Sequence, residues 1–206
     1  MSARILLLTT AFLALAGCFS QPSRPTNYYV LEFDVSVPGA PDAAESDTAA
    51  DEGRPALVVQ DAEVAPMFDR RQLLQRLEGP LVRYRNAELW AVSPPAAIAN
   101  LVREGLTRSA RFSRIAEGRD ARGRYEVRTR IDDLTHYCCD AETEIGVGGA
   151  FMLIDRRDGT EIALHSFARR ERLSDERPRT FVDGVSRILS EELLGFLDAM
   201  PTELES

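Results

Sequence analysis

The hydrophobic pattern opens with an unbroken uncharged run from Ile5 to Ala16, behind a single basic residue, Arg4. Crossing a bilayer takes about 20 apolar residues. The run therefore reads as the apolar part of a cleaved secretory signal and not as a spanning helix. Further on, the apolar positions fall into the two periods that mark strands and helices. Tyr28-Tyr29-Val30-Leu31-Glu32-Phe33 is rich in aromatic and branched residues and predicts a first strand, and Leu57-Val58-Val59 restarts the core as another. The stretches 73–77 and 81–85 flank Glu78-Gly79-Pro80 and predict two strands paired through a turn. Tyr125, Val127, Thr129 and Ile131 alternate with Glu126, Arg128, Arg130 and Asp132, the period of a strand with one wet face. Two more strands, 143–154 and 161–170, are joined at the turn signal Asp158-Gly159.

Two stretches carry the helical period instead. Ser93-Pro94-Pro95 supplies an N-cap serine and a proline at the first helical position, where a missing N–H costs nothing. From there Ile98, Leu101, Val102, Gly105 and Leu106 form one stripe, in a helix predicted to end near Ala110. Thr180 is read as the cap of a second helix, with Phe181, Val185, Ile188, Leu189, Phe196 and Leu197 on one side and Pro201 at its end. The expected fold is an α+β single-domain sandwich: a mostly antiparallel sheet of about six strands, with two amphipathic helices on one face. Along the chain this gives a signal peptide (1–17), a lipidated tether (18–26), one domain (27–200) and a short tail (201–206).

Between the first two strands, residues 34–55 carry Pro38, Pro41 and Pro55, several alanines and the acids Asp42, Glu45, Asp47, Asp51 and Glu52, with little to bury. This is read as an acidic disordered insertion, a solvated spacer before it is a docking segment. The whole chain has 25 basic and 33 acidic residues, net −8, and loss of the segment bearing Arg4 leaves it one unit more acidic. Such a charge repels nucleic-acid phosphate. Every basic residue is arginine, which carries no functional message on its own.

Leu15-Ala16-Gly17-Cys18 refines the signal: an aliphatic residue, two small residues and a cysteine form a lipobox. Cleavage is expected between Gly17 and Cys18, with diacylglycerol and then an N-acyl chain (palmitate among the acyl groups) on Cys18. One acyl chain holds a protein only marginally, whereas two or three hold it durably. No aspartate follows Cys18 to retain the protein at the inner membrane, so the expected place is the periplasmic face of the outer membrane. Apart from this covalent lipid no cofactor is expected.

The remaining chemistry is sparse. Cys138 and Cys139 are adjacent, and neighbouring Cα atoms lie closer than an unstrained disulfide prefers. A strained vicinal bridge and two thiols on opposite strand faces both stay open. His136 and His165 lack metal-site spacing and are read as hydrogen-bonded structural histidines. Asp132, Asp133, Asp140, Glu142 and Glu144 lack the spacing of a calcium loop and are read as a solvated hairpin end. Gly146-Val147-Gly148-Gly149 lies inside a predicted strand and reads as a bulge or a close backbone approach, not a phosphate loop. No Gly-x-Ser-x-Gly elbow occurs, and no enzyme is expected. Arg70, Arg71, Arg76, Arg83 and Arg85 are able to grip lipid phosphate, but acids intervene and strand alternation spreads them, which favours a solvated reading.

The lipobox, then Tyr28-Tyr29-Val30-Leu31, then Phe68-Asp69-Arg70 before a strand, then Leu89-Trp90-Ala91 before a capped helix, form a series that resembles the ABC-type transport auxiliary lipoproteins, the PqiC and YmbA kind. The resemblance covers most of the mature chain, although the insertion 34–55 is longer than that family usually carries. It implies a non-enzymatic periplasmic component of a phospholipid transport system, partnered with an MCE-domain protein and, through it, an ABC permease and ATPase. It also suggests a partner interface at Trp90, Phe68, Asp69 and Arg70, against the reading of Trp90 as core under the first helix. Two alternatives stand beside it: an envelope assembly or scaffold partner that moves no lipid, and a carrier that binds lipid itself. A homo-oligomer is left open.

Overall fold

A computed structural model of the protein describes residues 25–35, 55–117, 122–138, 142–201 and Leu204. Residues 36–54 of the acidic insertion lie outside them, as do the signal and Cys18. In chain order the elements are β1 (Asn27–Tyr29), β2 (Ala56–Val59), β3 (Glu63–Val64), β4 (Gln72–Arg76), β5 (Val82–Trp90), α1 (Pro94–Ser109), β6 (Arg114–Glu117), β7 (Tyr125–Tyr137), β8 (Glu144–Asp155), β9 (Glu161–Arg172) and α2 (Pro178–Ala199).

The long strand β7 is the spine. One of its edges pairs antiparallel with β8 from Tyr125↔Asp155 to Tyr137↔Glu144, and β8 pairs antiparallel with β9. Its other edge is occupied in turn by three short parallel strands: β2 at Leu57↔Tyr125, β3 at Val64↔Ile131 and β4 at Arg76↔Tyr137. The sheet forks beyond them. β6 joins β2 in parallel, whereas β5 returns antiparallel along β4 and carries β1 in parallel on its outer side.

The α+β class stands, but the described sheet has nine strands in mixed pairing, not about six antiparallel ones. The predicted hairpins are both present, because a turn residue between two apolar runs fixes an antiparallel neighbour locally. Gly79 and Gly159 indeed hold positive φ, 65° and 79°. Parallel partners lie far apart in sequence, and no turn announces them.

Both helices pack on one side of the sheet. Phe151 of β8 meets Phe196 of α2 with ring centroids 5.7 Å apart, and His136 of β7 stacks on Phe181 at 4.9 Å. The predicted α1 stripe is buried in full. Ser93 precedes that helix in extended conformation and its carbonyl receives the Ala97 N–H, but its hydroxyl makes no cap. α2 starts two residues before the expected Thr180, with Arg177 as N-cap and Pro178 in the first turn. Proline's fixed φ favours that position. The Thr180 hydroxyl turns back to donate to Asp175 at 2.7 Å.

The predicted first strand divides. Only Asn27–Tyr29 joins the sheet. Leu31 and Phe33 are buried while Glu32 and Asp34 are exposed, so the alternation persists without a strand partner. The Glu32 and Asp34 N–H groups donate to Ser186 and Ser190 hydroxyls of α2, at 3.3 and 3.1 Å. Helical serines thus replace a ladder. Gly105 makes this possible: a Cβ there would lie 2.5 Å from Leu193 and 2.6 Å from the Phe33 ring.

Candidate functional site

The described chain begins at Pro25, seven residues after Cys18, and enters the sheet through β1. The motif residues singled out by sequence gather here, on the lobe made by β1, β5 and β4. Trp90 and Phe68 are buried, and the Trp90 ring lies 6.4 Å from Phe181. They are core residues, closed to a partner, because the strand–helix junction needs their volume. Asp69 and Arg70 of the suggested interface are exposed.

Arg71, which the sequence reading did not single out for this role, ties the junction together. The Trp90 N–H donates to the Arg71 carbonyl at 2.7 Å, and the Arg71 guanidinium donates to the carbonyls of Trp90 at 3.2 Å and Ala91 at 2.6 Å. The Ala91 N–H then donates to the Tyr29 carbonyl at 2.7 Å, which fixes the strand that leads in from the tether. Arg71 also stands 5.8 Å over the Tyr28 ring, and Arg70 stands 5.2 Å over Tyr84. The Tyr84 hydroxyl donates to the Met67 carbonyl at 3.1 Å and holds the turn that bears Phe68.

On the helix side of the same lobe, Glu88 receives hydrogen bonds from Asn27 at 3.1 Å and from the Tyr29 hydroxyl at 2.6 Å. Burial first, and the Glu88 contact second, push the Tyr29 phenol up to about 12, so it stays a donor. A cleft of about 830 Å³ opens beside them, lined by Arg83, Arg85, Asn86 and Glu88 among others. A second cleft of about 780 Å³ lies by the fork, where Glu126 is buried between Arg128 and Arg156. Both are lined with charged and polar groups, unlike the apolar walls that hold an acyl chain.

The two histidines differ. His165 is hydrogen-bonded as expected: its Nε2 lies 2.7 Å from Glu192 of α2, and Arg169 donates to the other Glu192 oxygen at 2.9 Å. Gly195 leaves room for the ring, since a Cβ there would approach it to 2.9 Å. His136 departs from the expectation. Its Nε2 is buried with no hydrogen-bond partner among the described residues, and the ring is held by stacking on Phe181. Burial, reinforced by the Arg85 charge, lowers it to about 4, so it is neutral at physiological pH.

The Cys138 thiol is buried and donates to Glu176 at 3.4 Å, while Cys139 lies outside the described residues. The described acids at that hairpin end have partners: Asp132 pairs with Arg130, Glu142 with Arg172 and Glu144 with Arg170, while Asp140 lies outside the described residues. Asp133 receives the Thr135 hydroxyl. Gly149 is the close backbone approach that the glycine run suggested, for a Cβ there would fall 2.0 Å from the Arg130 carbonyl oxygen. No helix among the described residues is long and apolar enough to cross a membrane.

Arginines, aromatic rings and carboxylates are thus engaged in clamps that brace the β1–β5–β4 part of an α+β fold. The ABC-type transport auxiliary lipoprotein component family matches residues 37–193, and the chain belongs to that family. A crystal structure of a protein from Xanthomonas campestris is similar over 83% of this chain and 92% of its own, with a TM-score of 0.65 at 13% identity. Another, of an uncharacterised protein, is similar over 84% of this chain and 96% of its own, with a TM-score of 0.60 at 12% identity. At such identities the likeness is one of fold alone. No match is found among curated proteins.

Proposed function

We propose that this protein is a lipoprotein anchored by acyl chains on Cys18 to the periplasmic face of the outer membrane, where it serves a phospholipid transport system as a non-enzymatic component. Its partner is an MCE-domain protein, which connects it to an ABC permease and ATPase in the other membrane. The observation that carries this reading is the family match over residues 37–193, joined to the lipobox that precedes it. The polar lining of both clefts favours a scaffold over a carrier that encloses lipid.

Three measurements test it. Cys18→Ser should abolish incorporation of labelled palmitate and move the protein out of the outer-membrane fraction; a variant that still takes up label refutes the anchor. The wild-type chain, solubilised from the envelope, should co-purify with an MCE-domain protein. Loss of the gene should slow phospholipid exchange between the membranes. An envelope assembly partner would instead leave exchange at the wild-type rate.

A further inference from the structure

No helix among the described residues covers the side of the sheet opposite α1 and α2; Leu74 and Thr135 are buried on this otherwise bare side, whose two halves differ in chemistry. His136 and Trp90 point to α2, so the register fixes which residues face away. Gln75 pairs with His136, and Arg76 pairs with Tyr137 and with Val82; Leu74 pairs with Tyr84. Partners across a ladder share a face and neighbours along a strand alternate. Arg76, Val82 and Tyr84 therefore lie on the bare side. By the same rule Tyr29↔Trp90 turns to the helices and Tyr28↔Leu89 to the bare side. Arg71 stacks over Tyr28 and Arg70 over Tyr84, which adds both guanidinium groups to that surface.

Two independent features single out this lobe. Among the described residues seven large hydrophobic side chains are exposed, and six of them belong to it: Tyr28 at 60%, Val30 and Leu81 at 57%, with Met67, Val82 and Val92. The seventh, Leu164, is on β9. Second, Arg70, Arg71, Arg76, Arg83 and Arg85 make no ion pair among the described residues, whereas Arg128, Arg130, Arg169, Arg170 and Arg172 of β7 and β9 all do; outside the lobe Arg111, Arg114, Arg122 and Arg157 are also without one, but they are not gathered in one stretch of sheet. Residues 65–92 hold those five arginines against Asp69, Glu78 and Glu88, in a chain whose total is net −8. Glu88 is turned to the helix side by Asn27 and Tyr29.

We propose that the bare face of the β1–β5–β4 lobe docks on a bilayer surface rich in anionic phospholipid, next to the point where the chain is anchored. The inference rests on the anchor at Cys18. Pro25 is seven residue steps from that cysteine, a span of about 25 Å at full extension, so the lobe is the part of the described structure that the tether keeps nearest the membrane. Tyrosine, valine and leucine side chains suit the headgroup boundary, and unneutralised arginines suit lipid phosphate. Anionic lipid offers the charge complement that a neutral surface lacks.

The test uses the full lipidated chain reconstituted into phosphatidylcholine vesicles with or without phosphatidylglycerol, both carrying brominated acyl chains. Tryptophan reporters are placed by Val30→Trp, Val82→Trp and Leu164→Trp, and buried Trp90 provides the common background. The expected result is bromine quenching of the two lobe reporters, stronger with phosphatidylglycerol, and none at the Leu164→Trp position. Arg70→Gln and Arg76→Gln, which leave the Arg71 clamp intact, should each lower the ratio of docked to undocked lobe about fivefold while the protein stays on the vesicles. Equal quenching at all three positions overturns the proposal, as does no quenching at the lobe. Lobe reporters that are dark to bromine but shielded by an MCE partner or a second copy assign the face to protein and overturn it too. An N-terminal peptide without acyl mass refutes the anchor instead, and quenching of that unacylated chain by added anionic vesicles still decides the docking face.

Discussion

Glycine to alanine along β8 measures how tightly the spine of the sheet is closed. Gly149 faces Ile131 where Asp132 is an extra residue in β7. A Cβ on Gly149 would sit 2.0 Å from the Arg130 carbonyl oxygen and 3.1 Å from the Ile131 Cα. Carbon and oxygen approach to about 3.3 Å at rest, so the strands must part by roughly 1 Å, which a ladder hydrogen bond does not survive. Two lost bonds at about 1 kcal/mol each, plus disturbed packing of a close-packed interior, give a cost of about 3 to 4 kcal/mol. One residue away, Gly148 is the control: its Cβ would meet nothing nearer than 3.5 Å. Gly148→Ala should be neutral or stabilising by about 0.5 kcal/mol, because alanine loses less backbone entropy. Gly146→Ala should fall between, since the obstacles are the ends of the Asp133 and Tyr137 side chains at 2.6 and 2.8 Å, which are able to turn aside. Guanidinium unfolding of the three variants gives the order directly. Equal midpoints for Gly149→Ala and Gly148→Ala would refute the geometric argument.

Two further outcomes follow from the core. His136 stays unprotonated to about pH 4 when folded, against an ordinary 6.5, so the unfolded chain binds the extra proton between those values. Stability held above pH 6.5 is then lost as pH falls toward 4, by about 3 kcal/mol from this group. His136→Phe keeps the stacking on Phe181 and should flatten the fall seen in urea midpoints from pH 7 to pH 4.5, with Arg85, Asp175 and Glu176 unchanged around it; an unaltered slope would show that this histidine is not the source. Trp90→Ala should cost about 3 to 5 kcal/mol in thermal or chemical unfolding, and a variant of wild-type stability would contradict its placement under α2.

Much of the architecture was legible from local pattern. The first helix is announced by proline and a stripe at 3.6-residue spacing, the second by its stripe with a start read too late at Thr180, and two hairpins by a turn residue between apolar runs. Those signals act over a few residues, so the sequence alone determines them. Glu78-Gly79-Pro80 and Asp158-Gly159 specify their turns whatever the rest of the chain does. The lipobox around Cys18 is likewise a local instruction, meant for enzymes that meet the chain as an extended segment.

What only the tertiary structure decided is pairing at a distance. Leu57↔Tyr125, Val64↔Ile131 and Arg76↔Tyr137 place three separate strands on one edge of β7, and no local period encodes that succession. The same holds for side-chain roles. Trp90 became core because Phe181, on a helix far along the chain, fills the space beside it, and Leu31 and Phe33 left the sheet because serines of α2 offered hydroxyls. Five arginines in one stretch read as dispersed by alternation. Folding brought three of them to one bare face beside exposed tyrosine and valine, a juxtaposition that depends on register, and register is a property of the assembled sheet.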